Sequence, residues 1–416
     1  MKNLSTFPRS WIVVAAIAAS GVLATAAALA ADQPAKPQNS AKLAKPLKEA
    51  HDDLNAKKYP EAIAKLKEAE GIAGKTAYDQ HLINDMLAYA YIRTNNLADA
   101  AKAWEAELED GFSTPAEQQQ KVRGLAEVHY QLKNYDKAIE YGQRAIKGGY
   151  GDEELKKLVG QAYYLKGDWK GTLAFEGALV DGMIKSGATP PSESLQLILS
   201  SCVKLDDSAC TTKALERLVT YYPKPDYWYN LLFSISKETA NSDVNTLQTF
   251  RLMYEVDVLR SPDDYIEMAQ LAMDAGSPGE AQRVLQRGMD KNVFTDQRNK
   301  DKAQRLLDKA KQKAAADQPT LDKIVKEADA APTGAKNAGM GLAYFGYGQY
   351  DKSTDEYAKA VSKGGLRNAT ETQLMLGIAQ LKAGHKDDAV KSFKAVKGDP
   401  VLERLAGLWV LHARQA

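Results

Sequence analysis

Cysteine is almost absent from this chain. Two residues, Cys202 and Cys210, in 416 exclude a disulfide-rich scaffold and a four-cysteine zinc site. Excess charge of either sign is missing too, with 55 Lys+Arg against 54 Asp+Glu. Two of those bases, Lys2 and Arg9, lie in a leader without acids, so the remainder holds 53 bases against 54 acids. That balance excludes a generally basic nucleic-acid binder. Histidine is sparse: His51, His81, His129, His385 and His412 include no i, i+4 pair and no H-E-x-x-H motif. Phosphate loops are lacking as well. Gly74-Lys75-Thr76 has Ala69 where the first glycine is needed, and the glycines from Gly339 to Gly348 follow a helix-type stretch, not a strand. No G-x-S-x-G elbow occurs. Carboxylates sit beside lysines at helical spacing, as in Glu61/Lys65 and Glu153/Lys157, which reads as solvated helix faces. No constellation carries catalysis, so the expectation is a non-enzyme with no metal and no cofactor.

What is present begins with an export leader. Lys2 and Arg9 form its basic region, Trp11 to Leu29 its apolar stretch, and Ala28-Leu29-Ala30 a small-x-small cleavage pattern. Cleavage is expected after Ala30, with an uncleaved anchor as the alternative. No cysteine follows that would carry a lipid. The mature chain is then exported, most simply to a periplasm, without membrane insertion. Residues 31–41, with two prolines, read as a flexible linker.

The rest of the sequence repeats itself. A short polar turn, a packing residue and a small residue three later recur at Tyr59/Ala62, Leu97/Ala100, Tyr135/Ala138, Trp169/Thr172, Pro278/Ala281, Tyr350/Ser353 and Lys386/Ala389. Upstream lie Leu87-Ala88-Tyr89-Ala90-Tyr91, Val159-Gly160-Gln161-Ala162-Tyr163, Met340-Gly341-Leu342-Ala343-Tyr344 and Leu376-Gly377. This resembles the tetratricopeptide repeat (TPR) family, whose signature L-G-x-x-Y then A-x3-F spans a helix–turn–helix of about 34 residues. The gaps between packing residues are 38, 38, 34, 109, 72 and 36. The two large gaps divide into units of about 36, which places degenerate copies near 205, 242 and 314.

The expected fold is therefore all-α: a right-handed superhelical solenoid of about ten TPR-like helix pairs, closed by a C-terminal capping helix from Pro400 behind Asp399. Residues 42–190 form an N-terminal block, 191–295 degenerate central repeats, 296–335 a charged helical pair or spacer, and 336–416 the C-terminal block and cap. Small residues such as Gly160, Gly341 and Ala138 let paired helices approach, while Tyr, Trp and Phe fill the gaps. Neighbours should be local in sequence, with no need for one large core. His129 occupies the position of Tyr91, Tyr163 and Tyr344 and reads as a packing residue; His385 lies in a turn. Cys202 and Cys210 flank the turn Asp206-Asp207, where a disulfide could staple helix end to helix start; two free thiols are the alternative. The aromatic cluster Tyr221–Tyr229 reads as packing under a proline-stiffened loop.

The resemblance also implies a function. First helices of this family line the concave face, and its exposed groove positions fall here on Tyr89, Ile92, Arg93, Arg123, Glu127, Tyr130, Gln131, Lys157, Gln161, Tyr164 and Leu165. Tyrosine faces with Arg, Lys and Gln between them suit an extended peptide or partner protein. More distantly, Leu215 to Trp228 resembles repeat proteins that accompany TonB-type energy-transduction systems. The expected role is a scaffold or adaptor in the bacterial cell envelope. The alternative is a periplasmic solute- or glycan-binding protein using the aromatic clusters.

Overall fold

The computed structural model describes residues 38–239 and 241–415; the leader and most of the linker lie outside them. All regular structure among the described residues is helical. The chain divides into two compact units, meeting in sequence between Thr114 and Pro115.

The first unit holds α1 (Ala41–Asn55), α2 (Tyr59–Glu70), α3 (Ala77–Arg93) and α4 (Leu97–Glu109). Helix α3 starts where it does because Thr76 and Asp79 form a reciprocal capping box. The Asp79 carboxylate also accepts from the Ser40 N–H at 2.8 Å, tying the start of α1 to α3. Burial would raise this carboxyl, but the N–H groups of Thr76 and Ser40 outweigh it and hold it below the usual carboxylate range.

The second unit continues with α5 (Pro115–Gln131), α6 (Tyr135–Ala145), α7 (Glu153–Lys166), α8 (Trp169–Lys185), α9 (Ser192–Lys204), α10 (Ser208–Tyr221), α11 (Pro225–Thr239) and α12 (Asp243–Glu255). It ends with α13 (Pro262–Asp274), α14 (Pro278–Asp290), α15 (Gln297–Asp317), α16 (Leu321–Ala330), α17 (Ala335–Gly346), α18 (Tyr350–Lys363), α19 (Ala369–Lys382), α20 (Lys386–Lys394) and α21 (Pro400–Gln415).

One device sets the repeat register. Lys57, Asn95, Lys133, Gly167, Asp206, Gly276, Gly348 and Gly384 all take positive φ, between 53° and 88°. Each lies two residues before the start of a second helix. The next N–H reaches back five residues, as from Asn96 to Tyr91 O (2.8 Å), Asn134 to His129 O (2.8 Å) and Gln349 to Tyr344 O (2.9 Å). This closes the last turn of the first helix in a Schellman arrangement and turns the chain directly into its antiparallel partner.

The helices of a pair meet at the expected small residues. A Cβ on Gly341 would lie 2.8 Å from the Tyr357 ring, and one on Gly160 would run into the Glu176 carboxylate. His129 is buried and stacks on Tyr141 with ring centroids 5.7 Å apart. Cys202 and Cys210 are bonded, with Cα atoms 5.4 Å apart, across the α9–α10 turn.

Two features depart from a simple stack. The eighth pair is not a hairpin. Helical dihedrals persist through Gln318 (φ −51°, ψ −45°) and Leu321 (φ −58°, ψ −48°), joined by a 3₁₀ turn at Gln318–Thr320. Pro319 fits because the start of a helical turn needs no N–H donor there. Helices α15 and α16 thus form one bent rod, and α14 packs on α17 without it. At that contact a Cβ on Gly279 would fall 2.5 Å from the Gly346 carbonyl oxygen, so the approach requires glycine.

The second departure corrects the expectation of purely local neighbours. The C-terminal helices return onto the middle of the same unit, and α21 packs on α12. Arg404 pairs with Glu216 at 2.6 Å and Glu238 at 3.2 Å, and Gln415 donates to the Val219 carbonyl at 3.0 Å. One continuous apolar core, which includes Leu215, Trp228, Tyr265, Phe294, Phe393 and Trp409, results. The closing helix begins behind Asp399, whose carboxylate accepts from Val401 and Leu402 N–H at 2.8 and 3.0 Å. It is a core element as well as a cap.

Candidate functional site

First helices of neighbouring pairs pack on each other: α5 on α7, α7 on α9, α17 on α19 and α19 on α21. Second-helix backbones do not approach one another as closely and are joined instead by long side chains, as between Arg217 on α10 and Asp181 on α8. First-helix side chains therefore share one face along α5, α7 and α9, and another along α17, α19 and α21.

On that face Tyr130 Oη donates to Gln161 Oε1 at 3.0 Å, linking α5 to α7. The Tyr164 hydroxyl lies 2.6 Å from Ser200 Oγ, linking α7 to α9. Both tyrosines are half-buried, and each ring is braced edge-on from the following helix start. Tyr130 meets Tyr135 at 6.0 Å, and Tyr164 meets Trp169 at 4.9 Å. Burial pushes the Tyr130 hydroxyl above its usual range, so it stays a neutral donor at physiological pH.

Arg123 is held from two sides. Its Nε lies 3.1 Å from Glu127 Oε1, and one terminal nitrogen lies 2.5 Å from Asp152 Oδ2. Burial pushes the Glu127 carboxyl up despite Arg123. At Asp152 burial acts the same way, but the Leu155 N–H and Arg123 outweigh it and hold the carboxyl down. Arg123 thus ties α5 to the start of α7, and its charge is met within the chain. Lys157 and Gln131 are exposed on the same helices.

In the first unit, Arg93 is exposed and lies over the Tyr89 ring at 5.2 Å; Tyr89 also meets Tyr59 edge-on at 6.2 Å. The structure thus links Arg123 directly to Glu127 and Tyr130 to Gln161, places Tyr164 on the same helix as Gln161, and sets Tyr89 with Arg93 separately. Ser200, bound to Tyr164, and Asp152, bound to Arg123, belong to these links without having been singled out in the sequence. Ser200 lies on a degenerate repeat where the pattern fails, whereas Asp152 was readable as the N-cap of α7, accepting from Leu155 at 2.9 Å. No cluster of metal-ligating side chains occurs among the described residues, and none of their helices is long and apolar enough to cross a membrane.

Residues 86–153 match a family model described as tetratricopeptide repeat. This stretch is similar to that family. It includes α4, α5 and α6 and the turns at Asn95 and Lys133, the most regular part of the repeat. No curated protein sequence matches the chain. Among solved structures, a tetratricopeptide repeat protein from Parabacteroides merdae is 12% identical, with 79% of this chain and 98% of that chain covered and a TM-score of 0.28. Naa15/Naa10 bound to HypK-THB gives 15% identity, coverage of 89% and 67%, and a TM-score of 0.29. The TPR2AB-domain:pHSP90-complex of yeast Sti1 gives 15%, coverage of 72% and 95%, and 0.24. Superpositions this loose carry no inference about ligand or role.

Proposed function

We propose that this chain is a non-enzymatic scaffold that binds a partner protein, or an extended segment of one, along its first-helix face. The observation that carries this reading is the Tyr130–Gln161 and Tyr164–Ser200 ladder. Two tyrosine rings, on α5 and α7, are held by hydrogen bonds to the next first helix, and Gln131 and Lys157 are exposed on the same two helices. Rigid, braced tyrosines give contact area at little entropic cost, and amide and ammonium groups between them bind backbone carbonyls and acidic side chains. Tyr89 and Arg93 extend the same first-helix chemistry in the first unit.

The leader supports an exported, periplasmic setting after cleavage near Ala30, where the partner belongs to a cell-envelope assembly. A TonB-type complex is the narrower form of that proposal, and it rests on Leu215 to Trp228 alone. Tyr130→Ala with Tyr164→Ala should abolish capture of the partner from envelope extracts by the mature chain while the far-ultraviolet dichroism stays helical. Undiminished capture by the folded double variant would remove this face from the account.

A further inference from the structure

The return of the C-terminal helices onto α12 and α14 leaves a cavity of about 350 Å³. That is the size of a small-ligand site, about 300–1,000 Å³. It lies apart from the α5–α7–α9 face, and the scaffold reading makes no use of it.

Its walls carry more cations than such an interface needs. Arg251 pairs with Glu280, Arg287 with Asp257 and Lys382 with Glu255. Arg283 is different. Its guanidinium donates to the carbonyl oxygens of Phe345 and Gly346, and among the described residues no carboxylate pairs with it. The cavity lining holds four cations against two carboxylates, and Asp257, the partner of Arg287, lies outside it. A guanidinium has five N–H donors, and two carbonyls leave some of them unused. Trp409 on α21 also lines the cavity; it is 1% exposed, and its Nε1–H has no acceptor in the structure. Buried donors are almost always partnered. Phe345 and Tyr350 supply further aromatic surface to the same cavity.

The buried Arg251–Glu280 pair fits this picture. Fully buried ion pairs add little net stability, but this one fixes rigid polar groups beside the unpaired guanidinium. Glu280, Arg283 and Arg287 recur at i, i+3 and i+7 and so present one face of α14 to the cavity.

We propose that this cavity binds a small organic monocarboxylate with a flat apolar body. The carboxylate accepts from Arg283, the body lies against Phe345, Tyr350 and Trp409, and a ligand oxygen accepts from the indole N–H.

The test is ligand-observed NMR titration of the mature chain with phenylacetate, its uncharged analogue phenylacetamide, benzoate and hexanoate. Phenylacetate should bind saturably and the amide about tenfold more weakly, since a charge-assisted hydrogen bond is lost. Arg283→Gln should weaken phenylacetate binding about tenfold, and Lys309→Gln, on the exposed side of α15, should leave it unchanged. Because Arg283 also caps α17, Trp409→Phe provides the second arm: it keeps a six-membered aromatic ring but removes the five-membered ring that carries the N–H, and should weaken binding severalfold. The proposal is overturned if all three carboxylates fail to bind up to about 10 mM, if the amide binds as tightly as the acid, or if both folded variants bind like the wild type.

Discussion

Arg251 Nε and a terminal nitrogen lie 2.8 and 2.7 Å from the two oxygens of Glu280, with neither side chain more than 4% exposed. The pair joins α12 to α14, and Arg251 also reaches Met375 Sδ on α19 at 3.2 Å. Glu280→Gln should cost about 3–5 kcal/mol, because it strands a buried cation. Arg251→Met with Glu280→Gln should cost less than the sum of the single variants. Urea denaturation of the four proteins measures both quantities.

The same pair sets an acid limit. Burial would raise the Glu280 carboxyl, but Arg251 outweighs it and holds it below the ordinary value of 4.5. A depressed carboxyl stabilises the fold fully above that value, and the contribution is lost as pH falls through the folded value. Urea midpoints should therefore drop below about pH 4.5 in the wild type, and Glu280→Gln should flatten part of that drop.

Glycines should divide by what a methyl group would meet. Gly341→Ala drives a Cβ to within 2.8 Å of the Tyr357 ring and should cost about 1–3 kcal/mol. Gly177→Ala, on α8 with nothing within 4 Å, should instead stabilise by about 0.5–1 kcal/mol through helix propensity. Thermal melts of the two variants should shift in opposite directions.

The α9–α10 staple should be covalent in the isolated protein. Thiol titration of the denatured, unreduced mature chain should find no free thiol. Reduction should lower stability by about 2–3 kcal/mol, the loop-entropy value for so short a ring. Two titratable thiols would contradict the bond between Cys202 and Cys210.

Removing residues 400–416 should do more than fray an end. In a purely local stack only α19 and α20 would lose a neighbour. Here Arg404 and Gln415 hold α10 and α11, and α21 covers α12. Amide exchange should therefore accelerate across 208–255 in the truncated chain.

The helix pairs were legible because each turn is chemically local. Tyr59, Leu97, Tyr135, Trp169, Pro278, Tyr350 and Lys386 all open second helices. The residue two before each takes positive φ, a conformation that Gly and Asn adopt easily and that Lys57 and Lys133 accept within the Schellman turn. The bent rod at Pro319 was less legible, since a proline that ends one helix and one that starts the next leave the same trace. The return of α21 onto α12 was not legible at all. Its contacts join residues more than a hundred positions apart, such as His412 with Glu255, and a period of about 36 says nothing about them. The structure buries Thr246–Met253 of α12 without a break, although Thr246, Gln248, Thr249 and Arg251 give that run no apolar pattern in the sequence. Of the candidate face, Tyr130, Gln161 and Tyr164 were placed by the repeat register, whereas the engagement of Arg123 by Asp152 needed three dimensions.

Site-specific photocrosslinking tests the central claim most directly. A photoreactive residue replaces Gln131 or Lys157, exposed on first helices, or Lys170, exposed on the second helix α8. In envelope extracts, positions 131 and 157 should yield the same discrete protein adduct, and position 170 should yield none. An adduct from position 170 alone, or equal labelling from all three, would contradict binding along the first-helix face.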